Sequence, residues 1–168
     1  MNPPATLSDI DWSIWRAKDT ATLAFVIKDG QILLIRKKRG LGAGKINGPG
    51  GRLEAHESID ACAVRETQEE LCITPLNILK QGELQFQFVD GYSIHVHVYS
   101  APDLDGTPAE TEEAIPIWAP LDAVPYDEMW EDDIYWLPHL IAGDHFHGYF
   151  IFDDDKMLDY KLDILPAK

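Results

Sequence analysis

Residues 51–73, GRLEAHESIDACAVRETQEELCI, constrain this chain more than any other stretch. From about Ser58 to Leu71 there is neither Pro nor Gly, and the composition favours a helix. Glu66, Glu69 and Glu70 then stand at i, i+3 and i+4, so one helix face carries three carboxylates. Ile59, Cys62 and Ala63 occupy nearly the same stripe one and two turns earlier. Like charges within one turn repel, and the pattern sets nothing basic beside them on that face. A solvated acidic face is the ordinary explanation of such a run; a bound divalent cation is the other. Hard carboxylate oxygens at this density suit Mg2+ or Mn2+, which keep waters and accept phosphate oxygens as further ligands.

The rest of the composition narrows the partners. A chain of 168 residues, 45% hydrophobic, fits one domain with a real core. The formal net charge of −15 argues against a nucleic-acid-binding surface, which would be basic. It leaves room for a polyanionic small substrate if metal ions and a few placed cations offset the repulsion. No apolar run approaches the ~20 residues of a membrane span, and residues 1–20 lack the apolar segment of a signal peptide. Cys62 and Cys72 would lie ~15 Å apart along one helix, too far for a disulfide. The expectation is a cytoplasmic monomer without nucleic-acid or membrane partners.

Taken in order, residues 1–20 show no periodicity, and Trp12 and Trp15 read as cover for a core edge. Residues 22–29 and 31–37 read as a hairpin around Gly30. The following KKRGLGAGKINGPGG brings Lys37, Lys38, Arg39 and Lys45 into a glycine-rich loop. It reads either as a phosphate-holding loop beside the carboxylate helix or as a flexible solvated one. Residues 82–89 and 92–100 alternate with period two and read as strands joined at Asp90-Gly91. His95 and His97 have metal-ligand spacing on one strand face, but no third ligand of that kind is evident, so they read as ordinary face residues. Residues 101–113 form an acidic loop, and 117–124 a short strand. Residues 127–142 read as a second helix, with Pro138 kinking it or marking an irregular start. Residues 147–153 and 158–164 close the chain as a hairpin. Strands before, between and after two helices predict an α/β/α sandwich around a mixed sheet.

Gly51, Glu57, Arg65, Glu66, Glu69 and Glu70 together spell G-x5-E-x7-R-E-x-x-E-E. This resembles the Nudix box, the signature of hydrolases that cleave nucleoside diphosphates linked to another group. Thr67 stands where a bulkier aliphatic is often found, and Cys72 replaces a glycine that would suit a left-handed helix cap. Farther afield, KKRGLGAGKINGPGGRLE, QFQFV, VHVYS, GTPAETEE, MWEDDIYWLP, HFHGYF and LDYKL follow in order from about Thr22 to Leu165. They resemble the MutT-like branch of the family that hydrolyses oxidised purine nucleoside triphosphates.

The resemblance implies an α+β Nudix fold over a single domain, 1–168, with 1–20 as an N-terminal extension. It implies Mg2+-dependent hydrolysis of 8-oxo-dGTP and 2-hydroxy-dATP, with O6-methyl-dGTP a further candidate, to monophosphate and pyrophosphate. Metal ligands would be Glu66, Glu69, Glu70, Glu113 and the Gly50 carbonyl; Glu70 is favoured as base, with Glu66 and Glu69 left open. Glu57 would pair with Arg65 and hold the helix. Lys37 would approach the phosphates or sugar. Asn47, Asp132 and Asp133 would hydrogen-bond the purine, Trp130 and Phe86 would pack on it, and Thr22 would lie at the pocket edge. Leu41 and Ile46 stand where the branch carries phenylalanine and tryptophan, and Leu41 would loosen the pocket floor. Pro49 also departs from the branch.

The base site also has a physical argument of its own. Adjacent carboxyls in an apolar pocket are expensive when both ionise, so one pKa rises. A protonated carboxyl donates a hydrogen bond where an ionised one only accepts. The plain alternative is an Asp pair at a helix start, where Asp is common. Two functional alternatives also stand: a Nudix hydrolase of ADP-ribose or a dinucleoside polyphosphate, and a nucleotide-binding module without turnover.

Overall fold

Alternation along one central strand sorts the molecule into layers. In β1 (Asp19–Lys28), Ala24 and Val26 pack with residues of the box helix, α1 (Ile59–Leu71). Phe25, between them, points the other way and meets Trp136 of α2 (Asp133–Ala142) at 5.9 Å between ring centroids. The two helices therefore cover opposite faces of one sheet, as the strand period requires. The computed structural model describes residues 3–166.

The remaining strands are β2 (Gln31–Lys37), β3 (Ile46–Asn47), β4 (Gly50–Arg52), β5 (Thr74–Leu76), β6 (Leu79–Phe88) and β7 (Ser93–Ala101). They continue as β8 (Asp103–Asp105), β9 (Ala114–Pro120), β10 (His145–Asp153) and β11 (Lys156–Leu165). The main order is β11-β10-β6-β7-β1-β2-β3, with β5 and β8 forming a small ribbon apart. β1 runs parallel to β7, and β6 parallel to β10; the other pairs are antiparallel, so the sheet is mixed.

The β1–β2 hairpin is real but short. Only Ile27↔Ile32 and Lys28↔Gln31 are paired, after which the strands diverge. β1 then takes β4 as neighbour, while β2 takes β9 and β3. This fork opens the sheet where residues 47–51 enter. Gly48 fits there because a Cβ would collide with the Phe25 ring.

The loop expected over 101–113 holds the short strand β8, paired with β5, and two element boundaries also differ from expectation. The strand expected at 117–124 is Ala114–Pro120: its ladder to β2 begins at Lys37↔Ala114 and ends at Gln31↔Pro120. The helix expected from 127 begins at Asp133, after a separate 3-10 turn at Tyr126–Glu128. Pro138 sits inside α2, where burial of Trp136, Leu137 and Leu140 outweighs its lost backbone bond. Trp12 rests on Tyr149 and Trp15 beside His95, so both tryptophans cover the sheet as expected. No helix among the described residues is long and apolar enough to cross a membrane.

Candidate active site

Both ends of α1 are capped. Ser58 accepts a hydrogen bond from the Ala61 N–H at 3.1 Å, an N-cap worth about 1 kcal/mol. At the other end Cys72 adopts φ 63°, ψ 27°, and its N–H reaches the Gln68 carbonyl. The cysteine thus takes the left-handed cap that suits glycine, at some strain. Cys62 and Cys72 are both free thiols, as their spacing requires.

Arg65 locks the helix to the preceding loop. Its Nε donates to Glu57 Oε2 at 2.6 Å, and its Nη2 donates to both Glu57 Oε1 at 2.9 Å and the Arg52 carbonyl at 3.1 Å. This forked contact holds the Glu57 carboxyl down at about 2. The same guanidinium reaches Glu66 at 2.9 Å and Glu69 at 3.1 Å. The expectation that nothing basic stands beside the carboxylates is corrected here: a long side chain from the neighbouring stripe swings onto their face.

Glu66, Glu70 and Glu113 converge, each offering one oxygen within 4.8 Å of the others. Gly51 makes room, since a Cβ there would collide with the Glu66 carboxylate. Glu113 is brought in by the loop before β9: the Lys38 N–H donates to its carbonyl, and Arg39 pairs with its carboxylate at 3.1 Å. Glu70 is 3% exposed and accepts the Gly50 N–H at 2.8 Å. Burial above all, with Glu66 and Glu113 adding, pushes the Glu70 pKa up to about 8 against the pull of Gly50 and Lys37. Burial raises Glu66 as well. Three grouped, partly buried carboxylates offering only oxygen fit a hard divalent cation. Glu69 is not part of the group: it is half exposed and held by Arg65.

The basic loop divides. Lys38 is engaged by Glu110, Arg39 by Glu113 and Lys45 by Asp155, with Lys45 also over the Trp130 ring at 5.4 Å. Lys37 alone of the four has no ion-pair partner among the described residues, and it faces the carboxylate group. Burial lowers its pKa, with Glu70 and Glu113 opposing.

A cavity of about 560 Å³ joins this group to a second one. Its lining includes Lys37, Asn47, Gly50, Glu66, Glu70 and Glu113, together with Phe86, Trp130, Asp132 and Asp133. Asp132 and Asp133 are 2% and 3% exposed. Asp132 holds helical dihedrals and makes no side-chain cap bond, so the plain helix-start explanation fails. Its Oδ2 instead accepts the Trp136 Nε1–H at 2.7 Å. Asp133 Oδ2 is buried without a hydrogen-bond partner among the described residues. Burial pushes Asp132 up to about 6. Burial and then the charge of Asp132 push Asp133 well above the usual carboxylate range. Burial and mutual repulsion thus both oppose ionising the two carboxyls together.

A NUDIX domain family model matches residues 17–140. The chain belongs to the NUDIX family. It is similar to the zebrafish (Danio rerio) oxidized purine nucleoside triphosphate hydrolase, with 40% identity over 144 residues, 84% of this chain and 92% of the relative. The mouse (Mus musculus) protein of the same name is 41% identical over 143 residues, covering 84% and 92%. Among solved structures, a MutT protein from Bacillus halodurans superimposes with TM-score 0.78 at 28% identity, covering 86% of this chain and 97% of its own.

In this Nudix hydrolase the residues singled out from the sequence mostly meet in one cavity. Thr22 is one exception in detail: it is buried in the wall, 3.5 Å from Cys62 Sγ, rather than at the edge. Asn47 turns Oδ1 back onto the Gly48 N–H at 2.8 Å, leaving its amide NH2 as the free group. Leu41 is half exposed. Tyr92, Ile94 and Val96 also line the cavity, and their alternation along one strand was the signal that could have found the last two.

Proposed function

We propose that this Nudix hydrolase cleaves oxidised or otherwise modified purine nucleoside triphosphates to the monophosphate and pyrophosphate, clearing them from the nucleotide pool. One observation carries the base preference: a buried Asp pair, with Asp133 Oδ2 unpartnered among the described residues, shares a cavity with a hard-ligand carboxylate group. A protonated carboxyl donates to a purine edge while its ionised neighbour accepts, and 8-oxoguanine or 2-hydroxyadenine offers both kinds of partner.

Glu66, Glu70, Glu113 and the Gly50 carbonyl would hold Mg2+, with Mn2+ able to replace it. When bound, such an ion polarises phosphate oxygens and offsets the negative charge of the site. Glu70, oriented by the Gly50 N–H, would take the proton from the attacking water. Lys37 meets the phosphate charge. Glu69, held by Arg65, supports the outer edge of the helix face. Asn47, Asp132 and Asp133 read the base, and Trp130 with Phe86 packs on it. The same reading takes residues 1–168 as one domain with 1–20 as an extension, working as a cytoplasmic monomer without nucleic-acid or membrane partners.

The test is kcat/KM for 8-oxo-dGTP, 2-hydroxy-dATP and dGTP in wild type, Asp132→Asn, Asp133→Asn and Trp130→Ala. The Asn variants should lower the two oxidised substrates by unequal factors, on the order of 10- to 100-fold for the worse one, because a mismatched edge leaves buried groups unpaired. Trp130→Ala should weaken all three together, since apolar contact tolerates any purine. Equal effects of the Asn substitutions on all substrates would remove the pair from base recognition.

A further inference from the structure

The sheet face opposite the cavity carries a second set of ligating side chains. On β7, Ile94 and Val96 point into the cavity, so His95 and His97 point away from it. They share that face with Tyr99, which bonds to Asp60 of α1. Strand register then supplies what the sequence alone does not. Glu83 on β6 stands directly beside His97 on β7. Its Oε1 is 2.8 Å from His95 Nε2 and 3.8 Å from His97 Nδ1. The two imidazole rings stack at 4.6 Å with 17° between their planes. One ligand atom from each of Glu83, His95 and His97 lies within 4.8 Å of the other two.

An ordinary hydrogen-bonded His–Glu network accounts for the His95 contact but not for His97. That side chain is only 7% exposed, and its Nδ1 has no hydrogen-bond partner among the described residues. A buried polar nitrogen aimed at a carboxylate beyond hydrogen-bonding distance is unfavourable unless something joins them. Lys80 does not: it holds the other Glu83 oxygen, Oε2, at 3.3 Å.

We propose that Glu83, His95 and His97 form a second cation site, suited to Zn2+ or a similar borderline divalent ion and separate from the carboxylate group of the cavity. Two nitrogens and one oxygen favour such an ion over Mg2+, which prefers oxygen alone. Ligand atoms around a tetrahedral zinc stand roughly 3.3 Å apart, inside the spread seen here. His147 on β10 flanks Glu83 from the other side, its Nε2 bonded to Gln85, which leaves the remaining position of the site to solvent. Trp15, whose ring lies 6.4 Å from that of His95, places the N-terminal segment at the rim. An ion here would tie β6 to β7 where that segment docks.

The test is calorimetric titration of chelator-stripped full-length protein with ZnCl2 in excess Mg2+. Wild type should bind one Zn2+ per chain. His95→Gln/His97→Gln should bind it at least ~10-fold more weakly, and Glu70→Gln should bind it like wild type. If the double variant does not fold, the half-exposed His95→Gln replaces it. Co2+ gives a second readout, quenching Trp15 emission in wild type and not in His95→Gln. Zinc binding absent from wild type, unchanged by loss of the histidines, or abolished by Glu70→Gln would each overturn the proposal, as would equal Co2+ quenching in both proteins.

Discussion

Cys72→Gly should stabilise the protein. Cys72 is an exposed free thiol at the end of α1, with φ 63° and ψ 27°. For a residue with a Cβ the left-handed region costs about 1–2 kcal/mol. Glycine removes that strain but adds freedom to the unfolded chain, worth about 0.4–1 kcal/mol in the other direction. No side-chain hydrogen bond of Cys72 exists among the described residues, so little else is lost. The net gain is about 0.5–1 kcal/mol, or roughly 1–4 °C in Tm for a domain of this size. Calorimetry or thermal circular dichroism under reducing conditions measures it. Cys72→Ala is the control, because alanine keeps the Cβ and the strain, and its Tm should stay near that of wild type. A lower Tm for Cys72→Gly, or equal values for Gly and Ala, would refute the account of this cap.

Two further outcomes follow from the buried carboxyls. Glu70→Gln keeps the shape of the side chain and removes its charge, so kcat should fall at least ~100-fold in steady-state assays of pyrophosphate release; near-normal turnover at saturating Mg2+ would take Glu70 out of catalysis. The Asp132–Asp133 pair binds protons more tightly folded than unfolded, so its contribution to stability is complete below about pH 4 and is lost as pH rises through about 6 and beyond. Moving Asp132 from 3.8 to about 6 corresponds to ~3 kcal/mol. Relative to wild type, Asp132→Asn should therefore become more stable between pH 4 and pH 8 in urea unfolding; a difference independent of pH would contradict the burial argument.

The sequence reports what repeats locally and hides what register decides. Period-two alternation of apolar and polar residues located β6 and β7 to within a few residues, although β7 is buried on both faces from Val96 to Tyr99. The box located α1, and its expected end at Leu71 is where Cys72 caps the helix. β9 begins three residues earlier than the expected 117–124, because its ladder to β2, which includes Pro116 and Pro120, is set by a distant strand. α2 was started early because acidic and aromatic residues at 126–130 look helical but form a turn that sets Trp130 and the Asp pair. Arg65 was seen as a partner of Glu57, but its reach to Glu66 and Glu69 depends on a rotamer. Glu83 carried no signal as a ligand, since its nearness to His95 and His97 exists only once two strands align.

The stacked aromatics behind the base site divide the labour of this chain in an unexpected way. Phe86 stacks on Phe150 at 5.0 Å, and Trp130 meets Phe152 at 5.6 Å. Phe150 and Phe152 belong to β10, beyond the stretch 17–140 that matches the family model. The carboxylates, by contrast, all lie inside that stretch. The carboxylate group and the backing of the aromatic cavity wall thus lie in different parts of the sequence. A lineage could reshape Phe150 or Phe152, and so the tilt of the rings before them, without disturbing a single ligand of the reaction centre. The closing hairpin is in that sense an adjustable die behind a fixed cutting edge.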